Sequence, residues 1–383
     1  MKYSFDEVVL YSRTGLNPRQ NFKLGQGTNK YITIKNFHNN QLIVDENTDV
    51  VDDDAIRLIH KRSQIKKGDI LFASIGRIGD CYIIEDDPVD WDINESVFCF
   101  TLDTHIISQK YFYYFFKNQT AIDYLTRNSS GSTFKSIKMN QLKKMVFDLP
   151  SLSEQSTIIA SLDSVTAIIE LRQQQLQQLD ELVKARFVEQ FSSCTNIRTV
   201  NDLCSIITDG THQPPRFQQE GIPFIFVSNI VGNKVTYEAE KFISQETYDE
   251  LIKRTPIEIG DVLLSTVGSY GHPAVVTEDT KFLFQRHIAY LKPKHKLIDS
   301  FYLHSALQSP DVQKQIEGKV KGIAQKTLNL SEIRSITIPV PEMSQQTAFA
   351  TFVNQIDKSK VAVQAALDEA QTLFDSLMQK YFG

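Results

Sequence analysis

The sequence predicts an α+β protein built from two similar mixed α/β domains, each followed by a long helix, with the two helices paired as a coiled coil. Three observations lead to this prediction. The chain repeats itself at a nearly constant offset, the first part of each repeat contains short apolar runs typical of strands, and each repeat ends in a heptad pattern. A length of 383 residues also exceeds what one ordinary core requires.

The internal repeat is clearest in GDVLLSTVGSYGH at 260–272, which matches GDILFASIGRIGD at 68–80, 192 positions earlier. Other phrases match in the same order, and their offsets drift by only a few residues, as small loop insertions would produce. We therefore infer a duplication with pseudo-two-fold character. The other matching pairs are FDEVVLYSRTG (5–15) with VNDLCSIITDG (200–210), YITIKNF (31–37) with FIFVSNI (224–230), YFYYFFKN (111–118) with FYLHSALQ (301–308) at offset 190, and residues 130–156 with 321–347 at offset 191.

Each repeat begins with a domain of about 150 residues that contains strand-like runs and one short aromatic helix. The domain ends in a strand that leads into Pro150 in the first repeat and Pro341 in the second. The predicted boundaries are 1–150 for the first domain, 151–191 for the first long helix, 192–341 for the second domain and 342–383 for the second long helix.

The two long helices carry an apolar stripe at alternating spacings of four and three, which is the pattern of a coiled-coil seam. We expect Ser153 and Ser344 to cap them, and each helix to run for roughly 38 residues, or about 57 Å. A stripe of that length needs a partner of equal length, and the other half of the chain supplies one. The predicted seam is Ile158, Leu162, Val165, Ile169, Leu176, Leu179 and Val183 with Phe349, Val353, Ile356, Val363, Leu367, Phe374 and Leu377.

Composition narrows the class of protein. Four scattered cysteines without a CxxC pair fit a reducing cytoplasm, and the start MKYSFDEVVL lacks the apolar core of a secretion signal. No run of 18 apolar residues is present, so we expect no membrane span. The eight histidines show no metal-ligand spacing. The net charge of −5 gives no global indication of nucleic acid, so DNA binding needs local evidence.

The phrases ITDGTHQPP (207–215), GDVLLSTVGSYG and IPVPEMSQQ (338–346), together with the duplication, resemble the specificity subunit of Type I restriction–modification systems. The resemblance covers the whole chain. It implies two target recognition domains, each recognising one half of a split asymmetric DNA site. It also implies that the helices form an antiparallel coiled coil that separates the domains and docks two methyltransferase subunits. A departure is visible at 11–19, where YSRTGLNPR stands in place of ITDGTHQPPR.

A specificity subunit is expected to lack catalytic groups, and the sequence agrees with that expectation. It contains no GxxxxGK[ST] phosphate loop and no Asn-Pro-Pro-aromatic methyltransferase motif. Asp261 with Asp279 and Lys281 could be imagined as a nuclease set, but acidic-x-Lys triplets are common by chance. We therefore expect no cofactor in this chain. The resemblance puts S-adenosylmethionine, ATP and magnesium on methyltransferase and restriction subunits, the latter joined through the complex.

Candidate DNA contacts lie where the repeat predicts loops. Phosphates attract Lys, Arg and backbone N–H groups, whereas base edges are recognised by polar side chains held on loops. The clusters around Lys135 and Lys326 share the offset of 191 and are expected to contact the DNA backbone, with Gly131 and Gly322 allowing close approach. The candidates are Lys35, Asn36, Ser74, Arg77, Ser132, Thr133, Lys135 and Lys138 in the first domain, and Thr211, His212, Arg216, Ser228, Asn229, Ser269, Tyr270, Arg286, Lys321, Gln325 and Lys326 in the second.

Three other functions stay open at this stage. The chain could be a DNA-binding adaptor of another methylation or phage-defence assembly, a scaffold that oligomerises through its coiled coil without binding DNA, or an enzyme in its own right.

Residues 1–150 carry equal numbers of basic and acidic side chains, so each domain can present one basic face only if its other faces are acidic. Modest DNA affinity of the isolated chain follows.

Overall fold

The computed structural model describes residues 1–38, 41–131, 134–322 and 326–383. The chain divides into two compact units. Unit 1 consists of Met1–Leu171 and Leu367–Gly383, and unit 2 consists of Arg172–Ala366. Each unit contains one α/β domain and one half of each long helix, so both long helices continue from one unit into the other.

The elements of the first half of the chain alternate short strands with short helices and end in one long helix. In chain order they are β1 (Lys2–Ser4), α1 (Phe5–Val8), β2 (Val9–Thr14), β3 (Asn29–Ile32), β4 (Phe37–His38), β5 (Gln41–Leu42), β6 (Val50–Val51), α2 (Asp53–Ser63), β7 (Ile70–Ala73), β8 (Cys81–Ile83), β9 (Trp91–Ile93), β10 (Val97–Leu102), α3 (Gln109–Phe115), α4 (Gln119–Asn128), α5 (Met139–Leu142), β11 (Val146–Asp148) and α6 (Leu152–Phe191).

The second half follows the same plan. Its elements are β12 (Ile197–Thr199), α7 (Val200–Leu203), β13 (Cys204–Asp209), β14 (Ile222–Ile225), β15 (Phe242–Ile243), α8 (Gln245–Leu251), β16 (Val262–Ser265), β17 (Pro273–Val275), β18 (Leu283–Phe284), β19 (Ile288–Pro293), α9 (Ser300–Gln308), α10 (Pro310–Lys319), α11 (Leu330–Arg334), β20 (Thr337–Pro339) and α12 (Met343–Phe382). Short 3₁₀ helices lie at Ile34–Asn36, Val227–Asn229 and Ile252–Arg254.

The sheets confirm the duplication. Each unit has a four-stranded antiparallel sheet, ordered β2-β10-β7-β8 in unit 1 and β13-β19-β16-β17 in unit 2. Each also has a three-stranded sheet with one parallel pair, β3 with β9 and β14 with β18. A two-stranded sheet joins the first strand of each domain to its last, β1 with β11 and β12 with β20. This matching strand order is the predicted fold class, two similar mixed α/β domains.

The short helices correct one offset of the sequence alignment. Ser108 and Asp299 cap α3 and α9 with their side chains, and these two residues are 191 positions apart. The phrase at 111–118 therefore matches at offset 191, not 190. Aligning the aromatic letters alone misplaced it by one residue, whereas the caps fix the start of each helix. With the corrected offset, the buried Tyr111 corresponds to the buried Tyr302.

The cores differ in composition although the strand order is the same. Unit 1 packs aromatic rings, with Phe72, Phe100, Phe112 and Phe147 fully buried in one cluster. Edge-to-face ring contacts, such as the 5.4 Å centroid distance between Phe5 and Phe100, add to the burial. Unit 2 fills the corresponding cluster mostly with Val, Leu and Ile side chains. The same strand order is thus compatible with cores of different residue types.

The long helices α6 and α12 each contain 40 residues, close to the predicted 38. The predicted caps were wrong. Ser153 and Ser344 lie inside the first turn, and Ser151 is the residue that caps α6: its Oγ accepts from the N–H of Glu154, whose carboxylate accepts from the N–H of Ser151 at 2.9 Å. This reciprocal pair is a capping box, and its three-residue spacing identifies Ser151 as the cap.

Within unit 2 the two helices pack in antiparallel directions. Phe349 of α12 contacts Phe187 and Phe191 of α6, with ring centroids 5.5 and 5.4 Å apart. Lys360, farther along α12, pairs with Asp180, which lies earlier in α6, at 2.5 Å between Nζ and Oδ1. Residue numbers rise on one helix as they fall on the other, which defines the antiparallel arrangement implied by the resemblance.

Within unit 1 the beginning of α6 and the end of α12 share one apolar cluster. Ile158, Leu162 and Met378 are buried in it, and the ring of Phe382 lies 5.0 Å from that of Tyr111. The seam is therefore anchored on each domain. The predicted seam residues that are buried are Ile158, Leu162, Val165, Val183, Phe349, Val353 and Val363, and those that are half-buried are Ile169, Leu176, Leu179, Ile356, Leu367, Phe374 and Leu377.

One glutamine in each unit joins the domain to its long helix. Gln155 of α6 is fully buried; its Nε2 donates to the carbonyls of Ile106 and Pro150 at 2.8 and 3.1 Å, and its Oε1 accepts from the N–H of Ser108 at 3.0 Å. Gln346 of α12, 191 positions later, makes the matching three bonds to Leu297, Pro341 and Asp299. The sequence analysis did not identify this pair.

Candidate nucleic-acid interface

The predicted contact loops gather at one edge of each four-stranded sheet. β10 pairs antiparallel with both β2 and β7, so the carboxyl ends of β2 and β7 and the amino end of β10 share an edge. β13, β16 and β19 are arranged identically. We call this the loop edge. Its described segments are residues 15, 74–77, 94–96, 130–131 and 134–136 in unit 1, and 210–216, 266–270, 285–287, 321–322 and 326–327 in unit 2.

Backbone hydrogen bonds connect the segments of the loop edge in unit 2. The N–H of Thr211 donates to Phe284 at 2.9 Å, and the N–H of Arg286 donates to Thr211 at 3.1 Å. The N–H of Thr266 then donates to His287 at 2.9 Å. In unit 1 the N–H of Ser74 makes the corresponding bond to Ser96 at 3.0 Å. Three segments of unit 2 that are distant in sequence are therefore joined at the loop edge.

A small hairpin is held on the Gly-x-x-Gly turn in both units. Ser130 and Ser136 exchange two backbone bonds of 2.9 and 2.8 Å, and the N–H of Gly76 donates to Lys135 at 3.0 Å. Lys321 and Thr327 exchange the same two bonds in unit 2. The corresponding bond there joins Gly268 and Lys326 at 3.2 Å. The duplicated glycine phrase and the duplicated lysine clusters thus form a single structural feature.

Glycine is required in this feature for a conformational reason. Gly76 and Gly268 have φ of +72° and +73°, in the left-handed region that residues with a Cβ rarely adopt. Gly131 has φ of +120°, and a Cβ there would lie 2.2 Å from the carbonyl oxygen of Phe134. Gly322 has φ of +108°. A larger residue would disrupt the turn or the hairpin at these positions. The backbone conformation therefore explains why both repeats have glycine there.

Three of the predicted contact residues make side-chain hydrogen bonds inside the protein, and their contact with DNA stays a prediction. Ser74 is buried, and its Oγ donates to the carbonyl of Ser96 at 2.6 Å. The amide of Asn36 donates to Ile43 and accepts from the N–H of Thr33. Asn229 makes the matching bonds to Glu238 and Phe226 in unit 2. Both asparagines close their loops, because an Asn side chain mimics a turn of backbone.

Other predicted contact residues make some contacts within the protein. The Nη1 of Arg77 donates to the carbonyl of Phe37 at 2.5 Å, although the residue remains exposed. Tyr270 is half-buried against the core of unit 2. Lys321 pairs with Glu332 at 2.8 Å, and this bond lowers the pKa of the Glu332 carboxyl. Ser132, Thr133 and Gln325 lie outside the described residues.

Several predicted cations are free to meet a ligand. The Nζ atoms of Lys35, Lys135 and Lys326 make no ion pair or hydrogen bond with another described residue, and all three side chains are exposed. Burial and the adjacent Arg286 charge lower the pKa of His287, so the exposed Arg286 supplies the positive charge of that turn. The exposed predicted residues are Lys35, Arg77, Lys135, Lys138, His212, Arg216, Ser228, Ser269, Arg286, Lys321 and Lys326, and Thr211 is half-exposed.

A duplicated basic pair beside the loop edge was missed in the sequence. Lys61 and Arg62 end α2, and Lys253 and Arg254 occupy the corresponding place at offset 192. The Nη2 of Arg62 approaches the hydroxyl of Thr14, the last residue of β2, at 3.4 Å. Extending the 192-residue match upstream, from GDIL to KRS and KRT, would have found both pairs.

The second pair lines a cleft of about 530 Å³ in unit 2 together with the loop that contains Thr211 and Arg216. Asp209 lies at its side and is paired with Arg254 at 2.5 Å and with the ring of His212 at 2.7 Å. One carboxylate thus contacts both the Arg254 guanidinium and the His212 ring at the side of the cleft. A polar, positively bordered depression of this kind suits an anionic partner better than an apolar one.

These features describe a binding surface in each unit. Among the described residues no group of three or more His, Cys, Asp or Glu side chains could hold a metal ion. In the same ranges, no helix has the length and apolarity needed to cross a bilayer. The loop edge offers instead a surface of backbone groups, hydroxyls and cations, repeated once in each unit.

Comparison with known families identifies the class. Residues 1–181 and 195–370 each match the model of the Type I restriction modification DNA specificity domain. The chain therefore belongs to this family and contains the domain twice. It is a specificity subunit of a Type I restriction–modification system, which confirms the resemblance found in the sequence.

Curated relatives agree with this assignment. The chain is 23% identical over 381 residues to the Type I restriction enzyme EcoBI specificity subunit of Escherichia coli, with 86% of this chain and 80% of that protein covered. It is 23% identical over 299 residues to the MjaIX specificity subunit of Methanocaldococcus jannaschii, with 72% and 68% covered.

Solved structures share the fold. The S subunit of the Type I restriction–modification system from M. genitalium superposes with a TM-score of 0.52 at 15% identity and covers 100% of this chain and 96% of that one. A chain described under complex assembly and conformational transition of the Type I system gives a TM-score of 0.57 at 17% identity, with 100% and 97% covered. At these identities the likeness concerns the fold alone.

Proposed function

We propose that the loop edge of each unit contacts one half of a split, asymmetric site in double-stranded DNA. The observation that carries the proposal is the hairpin held on the glycine turn, which in both units presents an exposed lysine without a protein partner, Lys135 or Lys326. Unpaired cations on a hairpin whose flanks are held by backbone bonds suit backbone phosphates, which fix the register of a protein on DNA. Lys61, Arg62, Lys253 and Arg254 extend this phosphate contact.

The two half-sites differ in this proposal because the remaining exposed side chains differ. Unit 1 offers Arg77 at its loop edge and Lys35 outside it, whereas unit 2 offers His212, Arg216 and Arg286 at its loop edge. Arg and Lys favour guanine in the major groove, and hydroxyl and amide side chains are less selective. Two unlike sets of side chains on one backbone frame give two unlike sequences, which makes the full site asymmetric.

Partner subunits complete the activity in this proposal. The paired helices set the spacer between half-sites and dock two methyltransferase subunits, and restriction subunits join through the complex. S-adenosylmethionine, ATP and magnesium belong to those partners, and this chain, a cytoplasmic protein, contributes recognition without catalysis. The net charge of −5 supports this division, because it leaves few cations for phosphates and so predicts modest DNA affinity of the chain without its partners.

Salt dependence of DNA binding tests the proposed contacts. The recognition site is first located by mapping methylated adenines after co-expression with a cognate methyltransferase subunit. On a duplex with that site, Lys135→Gln and Lys326→Gln should each weaken binding and reduce the slope of log K against log salt by about 0.9 per lost phosphate contact. The double variant Lys61→Gln/Arg62→Gln should reduce it by up to twice that amount.

Matched controls lie at the opposite end of the same strands. Lys67 precedes β7 and Lys296 follows β19, and both are exposed. Lys67→Gln and Lys296→Gln should leave the slope unchanged. Equal effects at both ends of the sheets would contradict the loop edge as the interface. Methylation by a complex of unrelated partners would favour the alternative, an adaptor of another methylation or defence assembly.

A further inference from the structure

The side chain of Phe134 is exposed in a chain that otherwise covers its phenylalanines. The sequence contains 24 Phe residues, all within the described ranges. Phe134 is 70% exposed, and each of the other 23 is buried or half-buried. A single exposed apolar side chain is common on protein surfaces, so the position of this one decides its meaning.

Phe134 lies at the loop edge, in the hairpin that is held on the glycine turn. Ser130 and Ser136 exchange two backbone bonds on either side of it, and Lys135 beside it accepts from the N–H of Gly76. A Cβ at Gly131 would collide with the Phe134 carbonyl at 2.2 Å, so the turn is specific to glycine. Backbone bonds thus hold the described flanks of the hairpin that carries the ring, and such restraint lowers the ordering cost of an apolar anchor for a ligand.

The neighbour of Phe134 indicates the chemistry of that ligand. Lys135 is exposed and has no ion-pair partner among the described residues. A flat apolar ring next to a free cation suits a partner that presents stacked π-faces bordered by negative charge. Duplex DNA has this character, and apolar side chains of minor-groove proteins enter between base pairs and unstack them.

Resting on the proposed function, we propose that Phe134 is a wedge that enters one base step of the DNA, with Lys135 on the adjacent phosphate. The repeat offset of 191 puts Gln325, which lies outside the described residues, at the corresponding position of unit 2. The wedge is therefore a property of the first domain. Local unstacking therefore occurs in one half-site only. Sequence selectivity in that half-site depends in part on how easily the base step that Phe134 enters can be deformed.

The experiment uses the complex assembled with its methyltransferase partners on a duplex with the mapped site. 2-Aminopurine replaces one base at a time across the half-site of the first domain, except at the methylated adenine. The wild-type complex should raise fluorescence at one step, where stacking is lost. Phe134→Ala should abolish the rise and weaken binding roughly tenfold, in line with base–aromatic stacking. Phe134→Leu, which keeps apolar bulk, should retain part of both effects.

Each failure has a distinct meaning. If wild-type binding is tight and Phe134→Ala behaves the same, the wedge is wrong while the proposed function stands. If wild type shows no site-specific binding, the proposed function itself fails. Loss of methyltransferase co-purification in Phe134→Ala would assign the ring to a protein interface and overturn the wedge. Val146→Ala, at an exposed apolar residue of β11 outside the loop edge, serves as the control and should leave fluorescence in both half-sites unchanged.

Discussion

The buried carboxylate of the Gly-Asp phrase has a different cation in each unit. Asp69 in unit 1 pairs with Arg13 of β2 at 2.9 Å and accepts from the hydroxyl of Thr101 at 2.6 Å. Asp261 in unit 2 accepts from Tyr290 at 2.8 Å and lies 3.5 Å from Lys292 of β19. Lys292 corresponds to Thr101 at offset 191, and Arg13 corresponds to Thr208 at offset 195.

The acid is thus kept while its counter-charge has moved to another strand. Both aspartates accept the N–H three residues before them, from Lys66 and Glu258 respectively, and so close the turn that leads into β7 or β16. Burial raises the pKa of Asp261, which shows how costly the charge is without compensation. A duplicated fold can therefore exchange partners around a fixed charge, provided one cation remains within reach.

Transplanting the arrangement of unit 2 into unit 1 tests this account. Arg13→Thr should lower the free energy of unfolding of unit 1 by about 3 kcal/mol, because Asp69 stays buried without a cation. Adding Thr101→Lys should recover at least half of the loss. The only tryptophan, Trp91, lies in β9 of unit 1, so its fluorescence during urea unfolding follows that unit.

Lys292→Thr in unit 2 serves as the control and should leave the Trp91 transition in place. If Thr101→Lys gave no recovery in the Arg13→Thr background, the two strand positions would not be interchangeable, and the correspondence drawn from the repeat would fail at this site.

At the scale of elements, the joint between domain and long helix depends on one buried glutamine in each unit. The side chain of Gln155 makes hydrogen bonds with backbone groups of Ile106, Ser108 and Pro150. Ile106 and Ser108 lie 49 and 47 residues earlier in the chain, so these bonds connect α6 to the loop before α3. Gln346 does the same for α12. Buried backbone groups need partners, so the amide is hard to replace.

Removing that amide should loosen the joint. Gln155→Leu leaves two buried carbonyls and one buried N–H without hydrogen-bond partners. It should lower the free energy of unfolding of unit 1 by about 3 kcal/mol, measured from Trp91 fluorescence during urea unfolding. Gln174→Leu, at an exposed glutamine of the same helix, is the matched control and should have no measurable effect. A loss in Gln155→Leu no larger than in the control would show that the helix end is held by apolar packing alone.

The features that could be predicted from the sequence are those that depend on hydrophobic periodicity and on the internal repeat. The heptad pattern predicted two helices of nearly the observed length, and the shared offset predicted that the loops around Gly76 and Gly268 would be equivalent. The sequence did not predict that Asn36 and Ser74 turn inward or that Gln155 joins two elements. Those roles depend on partners such as Ile43 and Ile106, and only the folded chain brings such groups together.

At the scale of the whole molecule, one ion pair between α6 and α12 bears on the register of the two helices. Lys360 pairs with Asp180 across the seam, with 23% of the lysine side chain exposed. A polar residue in an apolar seam lowers stability but fixes which residues face each other. The pair therefore defines an internal marker from which matched segments of α6 and α12 can be chosen, and residues 173–179 correspond to 361–367 on this basis.

Deleting those two matched heptads together tests the role of the helices in setting the spacer. Seven residues of helix span about 10.5 Å, close to three base pairs of B-DNA. The complex carrying both deletions should therefore methylate a site whose two half-sequences are unchanged but whose spacer is about three base pairs shorter, as mapped by sequencing methylated adenines. Deleting only 173–179 breaks the facing register and should abolish methylation. An unchanged spacer in the double deletion would contradict the proposal, because the domains would then find their half-sites independently of helix length.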